Sequence, residues 1–288
     1  MNDSTNMKYE LRLRTAGMFS NVNEVVQYLH LAEIGKYTFH IDWRHSCYKE
    51  DKYGSNPWEY YFEQCFSLPE SSSSLTLLPV GKPIACSQHN IITPRIHEGQ
   101  CNPLLLPSNR QIPYRLITQY LHLKPDIKER IEHFFQQHFS TYMIGLHLRG
   151  LGRNHGGAAQ MRHKGQEKLT IDYDRFFPYV DSRLIQEPDT KIFVCSDSQD
   201  VIDCVYRRYG DKVVTYDASR SAFGEMHAGH QKNEGISFSP YKLGLDVVIE
   251  AYLLSKTHYF IHGNSNVANF VLSLAPDLES DYVYQSSS

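Results

Sequence analysis

The stretch Met143-Ile-Gly-Leu-His-Leu-Arg149 decides the fold, because it is an apolar run that ends in a histidine and an arginine. Successive side chains of a strand point to opposite faces, so His147 and Arg149 should lie on one face of this strand. Two polar and basic groups at the end of a buried strand are costly without an anionic partner. The stretch therefore predicts a sheet strand that leads directly into a binding site.

Strand and helix patterns alternate along the rest of the second half. Strands are predicted over 143–149, 191–195, 213–214 and 258–262, and helices over 172–186, 200–209, 241–255 and 266–274. Such alternation is typical of a doubly wound parallel sheet. Ligands of these sheets bind at the carboxyl ends of the strands. The loops after the strands are therefore the candidate site.

The first half begins with a strand, a helix and a strand, predicted over 9–14, 21–33 and 37–42. A β–α–β unit predicts a parallel pair. Residues 80–115 are rich in Pro and are predicted to be loops, whereas 125–138 is an amphipathic helix that begins at a Pro. We therefore predict an α/β protein with one domain over 1–120 and a second over 121–288.

Three polar loops should converge at one edge of the second sheet. Arg149 matches a phosphate with a two-pronged hydrogen bond, and the alternative is a buried Arg–carboxylate pair. Asp197 follows the second strand, between two serines. The last loop, Gly263-Asn264-Ser265-Asn266, opens a helix whose free N–H groups attract anions, although Asn264 or Ser265 could simply cap it.

Two carboxylates lie four residues apart on the helix before the last strand. Asp246 and Glu250 share one face of an otherwise apolar segment. A carboxylate there can accept hydrogen bonds from the donor edge of a guanine. The alternative is an ion pair, for example between Asp246 and Lys242 one turn earlier. The residues alone leave both interpretations open.

Composition excludes several function classes. The formal net charge of −3 and the absence of a basic run argue against a nucleic-acid partner. No Cys-x-x-Cys is present, and Asp172-Tyr-Asp174 lies at a predicted helix start, where Asp is common, so no metal site is expected. No apolar stretch approaches the length of a membrane span, and no secretory signal opens the chain, so we expect a cytoplasmic location.

Four segments in this order resemble the fucosyltransferase superfamily of nodulation-factor and core α1,6-fucosyltransferases. They are Gly17-Met-Phe-Ser-Asn21, Ile144-Gly-Leu-His-Leu-Arg149, Lys191-Ile-Phe-Val-Cys-Ser-Asp197 and the acidic helix, strand and turn of 246–269. The resemblance implies a GT-B-like fold, in which two Rossmann-like domains face each other across a cleft. It implies an inverting, metal-independent glycosyltransferase without a cofactor. Fucose is the favoured sugar, moved from a nucleotide-diphosphate donor to a glycan hydroxyl.

The resemblance also implies roles for single residues. Arg149 would bind the β-phosphate of the donor, Glu250 would recognise guanine, and Glu167 would be the general base. The other donor contacts implied by position are His147, Asp197, Asp246, Asn264, Ser265 and Asn266. Asp42 is the competing base, because it ends a strand of the first half and should face the same cleft.

The chain departs from the family pattern near the donor. Gly150 stands where a second Arg is usual, and the loop up to Lys168 is longer and rich in Gly. A UDP-sugar donor such as UDP-xylose is therefore an open alternative, as is a protein that binds a glycan or nucleotide sugar without catalysis. A hydrolase of phosphate esters is a further alternative, although the sequence has no Arg-His-Gly motif.

The acceptor is expected between the halves, because clefts between domains are common ligand sites. Aromatic faces suit the C–H surfaces of sugars, and the same rings could instead belong to the core. The predicted acceptor contacts are Gly17, Met18, Asn21, Trp43, Tyr48 and Trp58.

Overall fold

The computed structural model describes residues 8–66, 76–78, 91–92, 102–139, 142–149, 173–221 and 238–283. The strands are β1 (Lys8–Arg12), β2 (Thr38–Asp42), β3 (Thr76–Leu77), β4 (Met143–His147), β5 (Lys191–Cys195), β6 (Val213–Val214), β7 (Tyr259–His262) and β8 (Glu279–Tyr282). The helices are α1 (Met18–Gly35), α2 (Trp58–Tyr61), α3 (Gln111–Tyr120), α4 (Pro125–His138), α5 (Phe177–Gln186), α6 (Gln199–Tyr209), α7 (Pro240–Leu254) and α8 (Asn266–Leu274). None of these helices is both long and apolar enough to cross a lipid bilayer.

The strands form two sheets, and every strand pair in the described ranges is parallel. The first sheet has the order β2-β1-β3, and the second has the order β6-β5-β4-β7-β8. The β1–α1–β2 unit predicted from the sequence is present, with Lys8 opposite Thr38 and Arg12 opposite Asp42. The α/β fold with parallel sheets is therefore confirmed.

Strand β4 lies at the centre of the second sheet, between β5 and β7. Its Gly145 is required by packing, because a Cβ there would lie 2.7 Å from Thr257 Oγ1 and 3.1 Å from a methyl group of Leu254. The end of α7 and the turn after it can thus pack directly against β4. This close approach sets the distance between the end of α7 and the second sheet.

Two elements differ from the prediction. Residues 111–120 form α3 rather than a loop, and its Pro113, Leu116 and Ile117 are buried against the core. The polar segment Glu279–Tyr282 forms β8, which pairs with β7 from Tyr259 opposite Glu279 onwards. The polar segment of β8 has no strand pattern, whereas α3 is amphipathic and lies partly in the region whose prolines led to the loop prediction. The open edge of β7 and the apolar surface beside α1 supply the partners that these segments need.

The two halves share one apolar core. The rings of Phe19 on α1 and Phe270 on α8 lie 4.5 Å apart, and the Tyr61 hydroxyl donates to the carbonyl of Tyr241. Gly244 on α7 faces Tyr61 so closely that a Cβ there would overlap its hydroxyl. The predicted division between 1–120 and 121–288 stays a prediction, because the buried side chains continue from one sheet to the other.

Buried polar groups join the same interface. The Arg110 guanidinium donates to the carbonyls of Leu104, Pro276 and Leu278, which ties the end of the first half to the segment after α8. The side chain of Asn102 donates to Asn269 on α8 at 2.7 Å. Buried donors left without acceptors are costly, so these contacts hold the halves in one relative position.

Candidate functional site

The carboxyl ends of β4, β5 and β7 meet at one edge of the second sheet. His147 ends β4, directly opposite Cys195 on one side and His262 on the other. The Ser265 hydroxyl, from the loop after β7, lies 3.4 Å from Nδ1 of His147. The structure thus brings together the polar loops that the sequence singled out.

Arg149 follows β4 at this edge, and its Nε is buried. Within the described residues, Nε has no hydrogen-bond partner and no carboxylate forms an ion pair with Arg149. Its charge acts on two neighbours, the buried imidazole of His147 and the Tyr48 phenol. The described residues thus supply no carboxylate for the alternative, a buried Arg–carboxylate pair. An anionic ligand better explains why an arginine is placed here.

His147 is held neutral. Burial lowers its pKa to about 3, and the charges of Arg149 and His262 add to the effect. A neutral imidazole can donate one hydrogen bond and accept another. His147 therefore offers this edge hydrogen bonds rather than a second positive charge.

Helix α8 begins at the same place. The Ser265 hydroxyl accepts from the backbone N–H of Ala268 at 2.9 Å, so Ser265 is the N-cap, as one of the two interpretations predicted. Capping leaves the other N–H groups of the first turn available to an anion. Asn264 is exposed beside them, whereas the buried Oδ1 of Asn266 accepts no hydrogen bond from the described part of the chain.

The first half reaches this helix terminus. The Asn23 side chain on α1 donates to the backbone carbonyl of Asn266 at 3.0 Å, and its own Oδ1 is buried with no partner among the described residues. The Tyr48 hydroxyl accepts a hydrogen bond from the N–H of Met18 at the start of α1. The same phenol lies near enough to Arg149 for the positive charge to act on its pKa. The start of α1 therefore faces the carboxyl edge of the second sheet.

The two carboxylates of α7 each have a basic partner. Asp246 accepts from Lys242 at 2.8 Å and from the N–H of Ser219 at 2.7 Å, so the ion-pair interpretation holds for Asp246. Glu250 pairs with Arg220 at 2.8 Å. Asp197 is half-buried near Glu250, close enough to raise the pKa of that carboxyl. These groups line the edge beside β5.

Asp42 is a poor general base in this structure. It ends β2 as predicted, but its carboxylate accepts Nε and Nη2 of Arg44 at 2.9 and 2.8 Å, with Arg12 at 3.5 Å. Burial raises the pKa of Asp42, yet the hydrogen bonds and charges of the two arginines outweigh it and lower the pKa. We therefore withdraw Asp42 as a candidate base.

The aromatic acceptor contacts need a correction. Trp43 and Trp58 are fully buried, and their indole N–H groups donate to the carbonyls of Arg14 and Glu63. Tyr48 is buried against Trp43 at a ring distance of 5.4 Å. Their faces pack in the core and offer no surface to a sugar, as the alternative interpretation stated.

The glycine-containing turn before α1 is shaped by Asn21. Its buried carboxamide donates to the carbonyls of Arg14, Ala16 and Gly17 and accepts from the N–H of Arg14. Met18 is buried as well. Asn21 and Met18 therefore build the turn, and Gly17, which is half-buried, is the predicted acceptor residue that stays accessible there.

The prediction for Glu167 lies outside the described residues, together with Gly150 and the rest of that loop. Sequence reasoning missed Arg220 and Asn23. Arg220 follows a two-residue strand in a segment without periodicity, and Asn23 sits inside a helix pattern. No local sequence pattern marks either residue, because the partner of each, Glu250 or Asn266, is distant in sequence.

Comparisons with known proteins agree with this architecture. No family model and no curated protein sequence matches the chain. Among solved structures, the fucosyltransferase NodZ from Bradyrhizobium is similar at TM-score 0.52 and 19% identity, over 96% of this chain and 93% of that one. POFUT1 in complex with GDP-fucose gives TM-score 0.55 and 10% identity, over 99% and 100%. A mutant of Arabidopsis thaliana FUT1 in complex with GDP gives 0.54 and 10%, over 100% and 72%. The chain therefore has the GT-B-like fold of these fucosyltransferases.

Proposed function

We propose that this protein is an inverting glycosyltransferase that moves fucose from GDP-fucose to a glycan hydroxyl without a divalent metal. The observation that carries the proposal is the buried, unpartnered Nε of Arg149, whose charge acts on His147, the imidazole that lies 3.4 Å from Ser265 at the N-terminus of α8. Both features suit a diphosphate. Proteins of the same fold have been solved with GDP and with GDP-fucose, which supports this choice of donor.

The chemistry requires that a sugar–phosphate bond breaks while the acceptor oxygen attacks. Positive charge develops on the sugar ring, as in glycoside hydrolysis, and negative charge develops on the departing diphosphate. Arg149 and the first turn of α8 would stabilise that negative charge without reorganising. The neutral His147 and the Ser265 hydroxyl would add hydrogen bonds to the same group.

The guanine would bind beside β5. Glu250 presents one oxygen to Arg220, and no donor to its other oxygen lies within the described residues. A carboxylate oxygen is an acceptor that suits the N–H groups on the donor edge of guanine. Asp197, at the end of β5, would contact the ribose. Asp246, Asn264 and Asn266 would lie near the nucleotide without forming an ion pair with it.

The acceptor would enter from the first half, past the accessible Gly17. Glu167 remains our candidate for the base that takes the proton of the acceptor hydroxyl, because its position matches the family and Asp42 is bound by two arginines. A positioned base contributes about 10²- to 10⁴-fold. Its loop leaves the sheet at Arg149, next to the proposed diphosphate.

The test is thermal stabilisation by a panel of nucleotides, followed by turnover. A ligand at 100-fold its Kd stabilises by about 2.7 kcal/mol, so GDP should raise the melting temperature clearly more than UDP does. With GDP-fucose, release of GDP should be slow alone and fast with a glycan acceptor, and EDTA should leave it unchanged.

Other outcomes favour the alternatives. Stabilisation by UDP rather than GDP indicates a UDP-sugar donor such as UDP-xylose. Binding of GDP-fucose without release of GDP under any acceptor indicates a protein that binds the donor without catalysis. Fast release without acceptor indicates a hydrolase. Activity lost in EDTA and restored by Mn²⁺ contradicts the metal-independent mechanism.

A further inference from the structure

One buried ion pair lies where the guanine of the donor is proposed to bind, and it has no role in breaking the sugar–phosphate bond. The side chains of Arg220 and Glu250 are 6% and 10% exposed, and Nη2 of Arg220 lies 2.8 Å from Oε1 of Glu250. Arg220 comes from the segment after β6, whereas Glu250 is on α7. The pair therefore exists only because this segment crosses the carboxyl end of β5.

Arg220 is fixed in place by the backbone around it. Its Nε donates to the carbonyl of Ser196 at 3.1 Å, directly after β5, and its other nitrogens donate to the carbonyls of Ala218 and Tyr216 at 3.1 and 2.9 Å. A guanidinium held by three carbonyls cannot swing away from the carboxylate. The fourth contact, to Glu250, is thus made with a set direction.

The surroundings of Glu250 oppose its negative charge. The pKa of Glu250 is raised to about 8, mainly by burial and also by the carboxylates of Asp246 and Asp197, although Arg220 lowers it. The buried Cys195 thiol beside it carries no compensating charge. Lys242 is already paired with Asp246. Arg220 is therefore the positive group that favours the ionised form of Glu250.

The ionisation state of the Glu250 carboxyl decides which nucleobase it can bind. A carboxylate is an acceptor only, whereas a protonated carboxyl places a donor on the surface of the site. Guanine presents two adjacent N–H donors on one edge, while uracil presents one N–H between two carbonyl acceptors. A carboxylate therefore matches guanine and repels the carbonyls of uracil, and a protonated carboxyl loses that discrimination.

We propose that Arg220 is a positioning residue for the nucleobase: it orients Glu250 and favours its carboxylate form, so that the site prefers guanosine diphosphate to uridine diphosphate. The proposal rests on the proposed function, because it concerns the same donor site. It assigns base selection to an ion pair rather than to Glu250 alone.

The experiment measures Kd for GDP and UDP in the whole protein, as wild type and carrying Arg220→Met, Arg220→Lys, Glu250→Gln or the control Arg208→Met. One hydrogen bond to a charged group corresponds to about 10- to 100-fold in affinity. Arg220→Met should lose that much of the preference for GDP, because its affinity for GDP falls while its affinity for UDP stays near that of the wild type or rises. The preference of the wild type for GDP should grow as the pH rises through about 8, because Glu250 ionises there with Arg220 beside it; in Arg220→Met the same rise should need a higher pH, because the effect of Arg220 that lowers the pKa of Glu250 is gone.

The other variants separate positioning from a structural role. Arg220→Lys should keep most of the preference, because it keeps the positive charge. Glu250→Gln should lose the preference at every pH, because an amide does not ionise. Arg208→Met, which removes a surface arginine paired with Asp181 away from the site, should change neither preference nor pH profile. Should Arg220→Met not fold, the contrast between Arg220→Lys and Glu250→Gln carries the same comparison.

Two results overturn the proposal in different ways. A folded Arg220→Met that still prefers GDP to the wild-type extent, or that loses GDP and UDP equally at all pH values, removes Arg220 from base selection and leaves the proposed function standing. A wild-type protein that binds neither nucleotide overturns the proposed function together with this inference.

Discussion

Replacing Arg149 with Met separates stability from ligand binding at the proposed diphosphate site. Met keeps much of the length and the apolar stem of Arg but removes all of its donors. In this structure Nε of Arg149 is buried and has no partner among the described residues, so the free protein gains nothing from that donor. An unsatisfied buried donor costs about 1–3 kcal/mol, and Arg149→Met should therefore make the free protein more stable by about that amount.

The same change should remove most of the affinity for GDP. A two-pronged contact from Arg to a phosphate comprises two hydrogen bonds to charged groups, each of about 1.5–3 kcal/mol. Their loss predicts that Kd for GDP rises by roughly 10²- to 10⁴-fold. Removing the charge of Arg149 also lessens the effect that lowers the pKa of His147, while burial, the largest cause of the lowering, remains.

The assay is a melting curve with and without GDP. For proteins of 150–250 residues, 1 kcal/mol corresponds to about 2–4 °C, so the variant without ligand should melt a few degrees higher than the wild type. GDP should raise the melting temperature of the wild type but not of the variant. Arg115→Met is the matched control, because Arg115 is a surface arginine paired with Glu33, and it should change both quantities little.

The reasoning is refuted if Arg149→Met melts lower than the wild type and still binds GDP with unchanged Kd. That result would mean that Arg149 has a structural partner and that the diphosphate binds elsewhere. A variant that is more stable and still binds GDP would contradict the ligand assignment alone.

Three further predictions test the base, the pH dependence and the interface. Glu167→Gln should lower transfer by about 10²- to 10⁴-fold with unchanged Kd for GDP, whereas a folded Asp42→Asn should transfer normally; the opposite pattern would return the base to the first half. Arg44 lowers the pKa of Asp42 in the folded protein, so the ionised Asp42 stabilises the fold fully above the unfolded pKa of about 3.9 and loses this effect as the pH falls through the folded pKa. The stability difference between wild type and Asp42→Asn should therefore vanish in acid. Gly244→Ala should cost about 1–3 kcal/mol in denaturant unfolding because it overlaps Tyr61, and an unchanged midpoint would show that the helix can shift.

The residues that mark the second sheet illustrate how far the sequence reaches. Apolar runs with a polar end locate β4, β5 and β7 because strand period and length are local properties. Parallel strands place all their carboxyl ends on one edge, so the meeting of His147 and Ser265 follows once the strands are recognised. The ion pair of Asp246 with Lys242 also follows from helix geometry, since residues four apart are neighbours.

The sequence by itself therefore determined the α/β class, the parallel pairing and the edge of the sheet that carries the candidate site. Only the tertiary structure decided which aromatic rings are covered, as Trp43 and Trp58 are, and which charges meet, as Arg220 and Glu250 do. It also decided that the polar Glu279–Tyr282 becomes a strand, because the edge of β7 supplies its hydrogen-bond partners. The physical reason is the same in each case: periodicity is set by neighbours along the chain, whereas burial and pairing depend on segments that are distant in sequence.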